Sequence, residues 1–289
     1  MKLNKYTIRD LQRDFPNDKA CLDWLIKYFY PNGIYCKNCK RITKHHPIKS
    51  RPSYSCDICG NHVHPTANTI FHKSTTPLTL WFYAIYLMTA TRAGISAKQL
   101  ERELGVTYKT AWRMFHQIRK MMYDDKTPLG GEVEVDETYV GGKALNRRYA
   151  ANFNEKPKEV VMGMVERGGQ AKVRHVISSG TRSLLPQITK NVKIGAQIYT
   201  DQWPAYDTLP KLGFSHKSIN HLEAYVHNNV HTQNIENLWS HIKRGIMGVY
   251  RHVDPKYLQA YVNEYAFRYS QRNNPQAMFW ALMERVQKV

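Results

Sequence analysis

The sequence predicts a multi-domain α/β protein. Three observations predict it. Two Cys-x-x-Cys pairs, Cys36/Cys39 and Cys56/Cys59, bracket a stretch too poor in apolar residues to hold a core of its own. Helical periodicity then runs through 77–122. From 132 onward the pattern turns to strand-like runs at 132–140, 159–166, 171–178 and 196–200, with a helix over 182–192 before the fourth and helical periodicity from about 231. Strands first, then a helix, a strand and more helices make an α/β arrangement with an antiparallel meander in front.

Before the cysteines, residues 7–30 read as one or two short helices broken at Phe15-Pro16-Asn17, with Asp18 as the N-cap of the second. Cys21 lies in an amphipathic stretch and reads as a small core residue. The apolar helix of 77–92 opens at Pro77, with Thr76 as its cap. Residues 124–131, DDKTPLGG, read as a linker. The expected divisions are 1–75, 76–126 and 131–289.

The chain has 289 residues and a formal charge of +19. Residues 1–130 carry 21 basic and 9 acidic side chains, and residues 131–289 carry 21 and 14, so both halves are basic. Such an imbalance exceeds what solubility needs and points to a polyanionic partner, of which nucleic acid is the commonest. No run of about 18 apolar residues predicts a membrane helix. The first residues lack the apolar stretch of a secretory leader, so a cytoplasmic, nucleoid-associated location is expected.

The cysteine spacing is C-x2-C-x16-C-x2-C. Each short turn points two thiolates inward, and two turns close a tetrahedron around Zn²⁺. Four free thiols or two disulfides are the alternatives; the spacing and the lack of a leader favour zinc. With all four positions filled by Cys36, Cys39, Cys56 and Cys59, this zinc is expected to be structural.

Residues 95–120, ISAKQLERELGVTYKTAWRMFHQIRK, read as a helix-turn-helix. Leu100 and Leu104 face inward from the first helix, Gly105 permits the turn, and Ala111, Met114 and Ile118 form the second helix's buried stripe. Lys109, Thr110 and Arg113 fall on its exposed N-terminal side, where a recognition helix meets the major groove. An ordinary αα-hairpin is the alternative. Glycine at the turn together with basic exposure favours DNA binding.

In GEVEVDETYV, from Gly131, alternation puts the valines on one strand face and Glu134 and Asp136 on the other. Asp201 falls where another apolar strand ends. In HTQNIENLWSHIKRG, Ile235, Leu238, Trp239 and Ile242 form a stripe, and Glu236 and Lys243 share a face two turns apart. Each acid alone reads as a surface residue. Together, two strands and a helix supply carboxylates that suit two Mg²⁺ or Mn²⁺ ions about 4 Å apart, the arrangement of phosphodiester chemistry.

With these residues in view, the sequence resembles bacterial insertion-sequence DDE transposases that join a zinc ribbon, a helix-turn-helix and an RNase H-like catalytic domain. The resemblance runs nearly end to end: YPNG at 30–33, the four cysteines, TIFHKSTTPL at 69–78, LGVTYKTAWRM at 104–114, GEVEVDETYVGGK at 131–143, YTDQWPAY at 199–206 and HTQNIENLWSHIKRG at 231–245. It implies a triad of Asp136, Asp201 and Glu236, with Lys243 touching DNA or the site and Arg244 beside it on DNA. Asn234 is a second candidate for the third acidic place. It implies a DNA transposase that binds the terminal inverted repeats of its element as a homodimer or higher oligomer. The enzyme would cut to free a 3′-hydroxyl and join that end to target DNA. Glu134 and Glu137 stand outside this triad and are expected to tolerate substitution. One departure is FRYSQRN at 267–273, where relatives commonly read FRFNRR.

Two rival functions account for less of the chain. A non-enzymatic zinc-ribbon/helix-turn-helix regulator leaves 131–289 unexplained, and another RNase H-like nuclease would not ordinarily carry two upstream DNA-binding modules.

Overall fold

Thr7 begins the ordered helices with a reciprocal cap: its hydroxyl accepts from the Asp10 backbone N–H, and the Asp10 carboxylate accepts from the N–H of Thr7. This opens α1 (Ile8–Asp14). Helix α2 (Asp18–Phe29) is capped by Asn17, whose side chain accepts from Ala20 N at 3.0 Å, rather than by Asp18 as expected. Asp18 instead reaches forward. Its Oδ1 accepts from the backbone N and the hydroxyl of Thr79, at 2.9 and 2.8 Å, in the first turn of α3 (Leu78–Ala90). That acceptor substitutes for Thr76: Pro77 holds the N-cap position of α3 and makes no side-chain cap bond.

The computed structural model describes residues 5–124, 126–141, 158–219, 231–274 and 276–287. The chain divides into two compact units, one of Met1–Thr91, Ala97–Ile118 and Pro275–Val289, the other of Arg92–Ser96 and Arg119–Asn274. In the first, α3 is the core helix: Trp81, Phe82, Ile85 and Met88 are fully buried. Between α2 and α3 lie a hairpin, β1 (Ile34–Cys36) with β2 (Arg41–Thr43), and a three-stranded antiparallel sheet of β3 (His45–Pro47), β4 (Tyr54–Cys56) and β5 (His62–Val63). Then come α4 (Ala97–Leu104) and α5 (Tyr108–Met121).

The second unit is built on a five-stranded sheet. Its strands are β6 (Glu132–Val140), β7 (Glu159–Glu166), β8 (Ala171–Val176), β9 (Gln197–Asp201) and β10 (Ser215–Ile219), in the order β10-β9-β6-β7-β8. β6, β7 and β8 form the expected antiparallel meander, while β9 runs parallel to β6 and β10 parallel to β9. Helix α6 (Thr181–Asn191) precedes β9, and α7 (Gln233–Gly245) and α8 (Pro255–Ser270) follow β10. The alternation of β6 sorts its side chains. Val133 and Val135 join Leu184, Ile188 and Tyr206 in one core, while the opposite face meets Ile235, Leu238, Trp239 and Ile242 of α7. β10 was not expected, because SHKSI at a sheet edge offers almost no apolar pattern.

The last helix, α9 (Met278–Met283), belongs to the first unit, where Phe279 stacks on Tyr6 at 4.6 Å. Among the described residues, no helix is long and apolar enough to cross a membrane.

Candidate active site and metal centre

The two cysteine pairs meet where β1 and β4 end. Cys36 and Cys56 are the last residues of those strands, and Cys39 and Cys59 follow in the turns. One Sγ of each lies within 4.8 Å of all the others, with Cys36 and Cys59 3.4 Å apart and Cys39 and Cys56 3.9 Å apart. The Thr43 hydroxyl, 3.2 Å from Cys56 Sγ, brings that thiol down to about 6, and the Cys39 backbone N–H lowers Cys36. Four sulfurs converging on one point fit a tetrahedral zinc ion. Among the described residues they are the one group of three or more such ligands gathered this closely.

Gly105 takes a φ of +62° between α4 and α5, as the turn requires. Leu100, Leu104, Ala111, Met114 and Ile118 are all buried. Lys109 and Arg113 are exposed and Thr110 half-buried. The Thr107 hydroxyl accepts from Thr110 N at 3.4 Å, and Arg113 Nη2 donates to the His72 carbonyl at 2.9 Å.

The acids gather at the carboxyl ends of two neighbouring parallel strands. The last Cα partners of β6 and β9 are Glu134 and Tyr199, so Asp136 and Asp201 stand two residues further along each. Asp136 Oδ2 accepts from Trp239 Nε1 at 2.8 Å, and Asp201 Oδ1 from the Trp203 N–H at 3.1 Å. Glu236 lies in the first turn of α7, exposed, where its Oε1 accepts from the Thr232 hydroxyl at 3.2 Å. Burial pushes the Asp136 carboxyl up to about 6, and the charges of Asp201 and Glu236 add to the shift against the Trp239 donation. The three acids therefore share one electrostatic neighbourhood, although they are not drawn together as tightly as the cysteines. Oxygen donors whose charges act on one another suit divalent cations such as Mg²⁺. Lys243 and Arg244 are exposed in the last turn of α7, with Arg244 Nε on the Ser240 carbonyl at 3.1 Å.

Two acids of the same strand take places that the sequence reading did not foresee. Glu134 is completely buried. Its carboxylate accepts from Asn234 N and Ile235 N at 2.8 and 3.2 Å, from Asn234 Nδ2 at 2.8 Å and from Arg167 Nε at 2.9 Å. It thus caps α7 from the sheet, where the side chain of α7's own N-cap, Thr232, makes no cap bond. This burial replaces the expectation of a spare surface acid, and it engages the amide nitrogen of Asn234. Glu137 accepts from the buried Tyr206 hydroxyl and is pushed up to about 7, first by burial and then by the charges of Asp136 and Asp201. The local signal for Glu134 was the alternation itself, which turns it toward α7; its partners on that helix lie about a hundred residues away.

Several known proteins are similar to this chain. Residues 128–270 match the ISXO2-like transposase domain. An uncharacterized protein in transposable element ISH50 of Halobacterium salinarum is 26% identical over 276 residues, covering 89% of this chain and 92% of that protein. An uncharacterized transposase-like protein of Haemophilus influenzae is 31% identical over 103 residues, covering 35% of this chain and 83% of that protein. A Mos1 transposase paired-end complex with left transposon end aligns over 89% of this chain and 95% of its own at 11% identity, but with a TM-score of 0.27, too low to bear on the fold. By its matched domain and these relatives, the chain belongs to the insertion-sequence DDE transposases of the ISXO2-like family.

Proposed function

We propose that this transposase binds the ends of its own mobile element, cuts to free a 3′-hydroxyl and joins that end to target DNA. The observation that carries the reading is the register of β6 and β9, which sets Asp136 and Asp201 side by side beyond the last paired residues, with the Glu236 charge acting on Asp136. In this reading Asp136, on the central strand, would hold divalent ions, Mg²⁺ or Mn²⁺, together with Asp201 and Glu236. Bound there, such ions would supply activation of the attacking oxygen, of water in the cut and of the DNA hydroxyl in the joining, and charge stabilisation for the leaving oxygen. Trp239, by donating to Asp136 Oδ2, would fix the orientation of that carboxylate. An RNase H-like fold for the expected 131–289 domain is supported, as far as Asn274, by the mixed sheet with its acid on the central strand.

Residues 1–75 carry the structural zinc on Cys36, Cys39, Cys56 and Cys59. Residues 76–126 bind the terminal repeats through Lys109, Thr110 and Arg113, and Lys243 and Arg244 contact DNA near the acids. The net charge of +19 suits a DNA partner, on which the protein works as a homodimer or higher oligomer in the nucleoid.

The test is incubation of the purified protein with Mg²⁺ and DNA carrying the element's own ends. Cleavage and strand transfer should both occur, and Asp136→Asn should abolish both while end binding survives or tightens. Ca²⁺ should support binding without turnover. Normal cutting by Asp136→Asn would refute the assignment. Loss of activity in Asn234→Ala with Glu236→Gln unaffected would move the third place to Asn234.

A further inference from the structure

Two positions before each acid lies a member of one buried polar hub: Glu134 before Asp136, Tyr199 before Asp201 and Asn234 before Glu236. Arg167, from the turn after β7, is its centre. Its Nε donates to Glu134 Oε1 at 2.9 Å, its Nη1 lies 3.4 Å from Glu132 Oε2, and its Nη2 donates to the His231 carbonyl at 3.0 Å, just ahead of α7. Its guanidinium lies 4.1 Å from the centre of the Tyr199 ring. The Tyr199 hydroxyl donates to Glu132 Oε1 at 2.7 Å, and Glu134 holds the first turn of α7 through Asn234 and Ile235. One cation and one carboxylate therefore touch β6, β9 and α7, the three elements that carry the acids.

The hub also stands where β6 and β9 part, each strand staying paired on its other side, Asp136 with Gly163 and Asp201 with Ile219. Pairing between β6 and β9 stops at Glu134 and Tyr199, and α7 has no side-chain cap of its own. Stability does not explain the arrangement. A buried ion pair is commonly no better than packed apolar residues of the same volume, and the Glu134 side chain is 0% and that of Arg167 12% exposed. What a planar guanidinium fork provides is fixed geometry, which a lysine on the same backbone cannot reproduce. Metal-binding constellations need that: a first shell holds its ions only while supporting groups lock its placement.

We propose that Arg167 and Glu134 are positioning residues, which set the spacing of Asp136, Asp201 and Glu236 and thereby the affinity of the acids for divalent metal. This rests on the reading of those three acids as metal ligands.

The test titrates Mn²⁺ into the full-length protein without DNA, following free Mn²⁺ by electron paramagnetic resonance, and separately finds the metal concentration that half-saturates cleavage. Arg167→Lys keeps the charge and loses the fork; Glu134→Gln keeps the shape and turns one acceptor into a donor facing donors. Both should weaken Mn²⁺ binding about tenfold or more, on the scale of a lost supporting partner, while zinc content, end binding and near-ultraviolet circular dichroism stay unchanged. Cleavage should recover toward wild type at high Mn²⁺, which a general loss of structure would not permit. Tyr199→Phe, which removes one hydroxyl and buries no charge, tests the same hub should either variant fail to fold, and it should also raise the Mn²⁺ requirement. Folded variants that bind Mn²⁺ as wild type does would overturn the proposal. Asp136→Asn in the same titration separates the two readings: if it too binds Mn²⁺ normally, the metal-ligand assignment itself is wrong; if it alone loses Mn²⁺, only the hub inference fails.

Discussion

Trp239 donates its indole N–H to Asp136 at 2.8 Å, and it can do so because the residue beside Asp136 on β7 is Gly163. A Cβ at position 163 would stand 2.7 Å from the Trp239 ring. Gly163→Ala should therefore destabilise the protein by about 1–3 kcal/mol, the usual penalty of overpacking, as read by urea unfolding, and should reduce cleavage as the ring moves. Trp239→Phe keeps most of the packing and removes the donor. A hydrogen bond to a charged acceptor is worth about 1.5–3 kcal/mol, so cleavage near neutral pH should fall by roughly an order of magnitude or more. Wild-type rates in Trp239→Phe would reduce the contact to packing.

Burial and neighbouring charge hold Asp136 near 6, above its ordinary 3.8. A carboxyl whose folded pKa is raised favours the folded state while protonated, and that advantage is lost as pH rises through the folded value. In the metal-free protein, Asp136→Asn should thus melt above wild type at about pH 7.5, by an energy on the order of 2 kcal/mol, and the difference should close by about pH 4. Mg²⁺ should narrow the gap at the higher pH by stabilising wild type alone. Thermal scans of both proteins across this range check it, and a difference independent of pH would contradict it.

The four sulfurs around one point predict one zinc per chain, measurable by metal analysis of protein purified without chelator. Cys36→Ser should unfold the segment around β1–β5 and weaken end binding, while hydrogen exchange across β6, β7 and β9 stays as in wild type. Zinc-free protein with native exchange throughout would count against a structural ion.

End binding should weaken steeply with salt, each phosphate contact contributing about −0.9 to the slope of log K against log salt. Lys109→Ala should flatten that slope by about one contact. Arg113→Ala should weaken binding and also release the His72 carbonyl that its guanidinium holds. If Arg113 reads a base, discrimination should drop by roughly 1–3 kcal/mol. A slope near zero would oppose a DNA partner.

Much of this architecture could be read locally. The period-two valines gave β6 its bounds at 132–140, and the stripe Ile235, Leu238, Trp239, Ile242 identified the buried face of α7. Asp136, Asp201 and Glu236 stood out because each sits at an element's informative position. What could not be read depends on distant partners. Asn17 and Asp18 are equally good caps in isolation, and only the approach of Thr79 decides that Asp18 serves α3. Trp239 looked like one more stripe residue until Gly163 made room for its N–H to reach Asp136. Glu134 looked like one acid in a block of acids, since nothing near it in sequence announces Asn234 or Arg167. Nothing in MFWALM tells which unit α9 joins.

The hub also bears on how copies of a mobile element should be judged from their genes. Arg167 opens the turn RGGQ after β7, some thirty or more residues in sequence from Asp136, Asp201 and Glu236, and resembles any surface arginine. An inventory that declares a copy intact because its three acids survive would pass one that had lost this arginine. Mutational decay at a single turn codon could silence transposition and leave the recognisable signature whole.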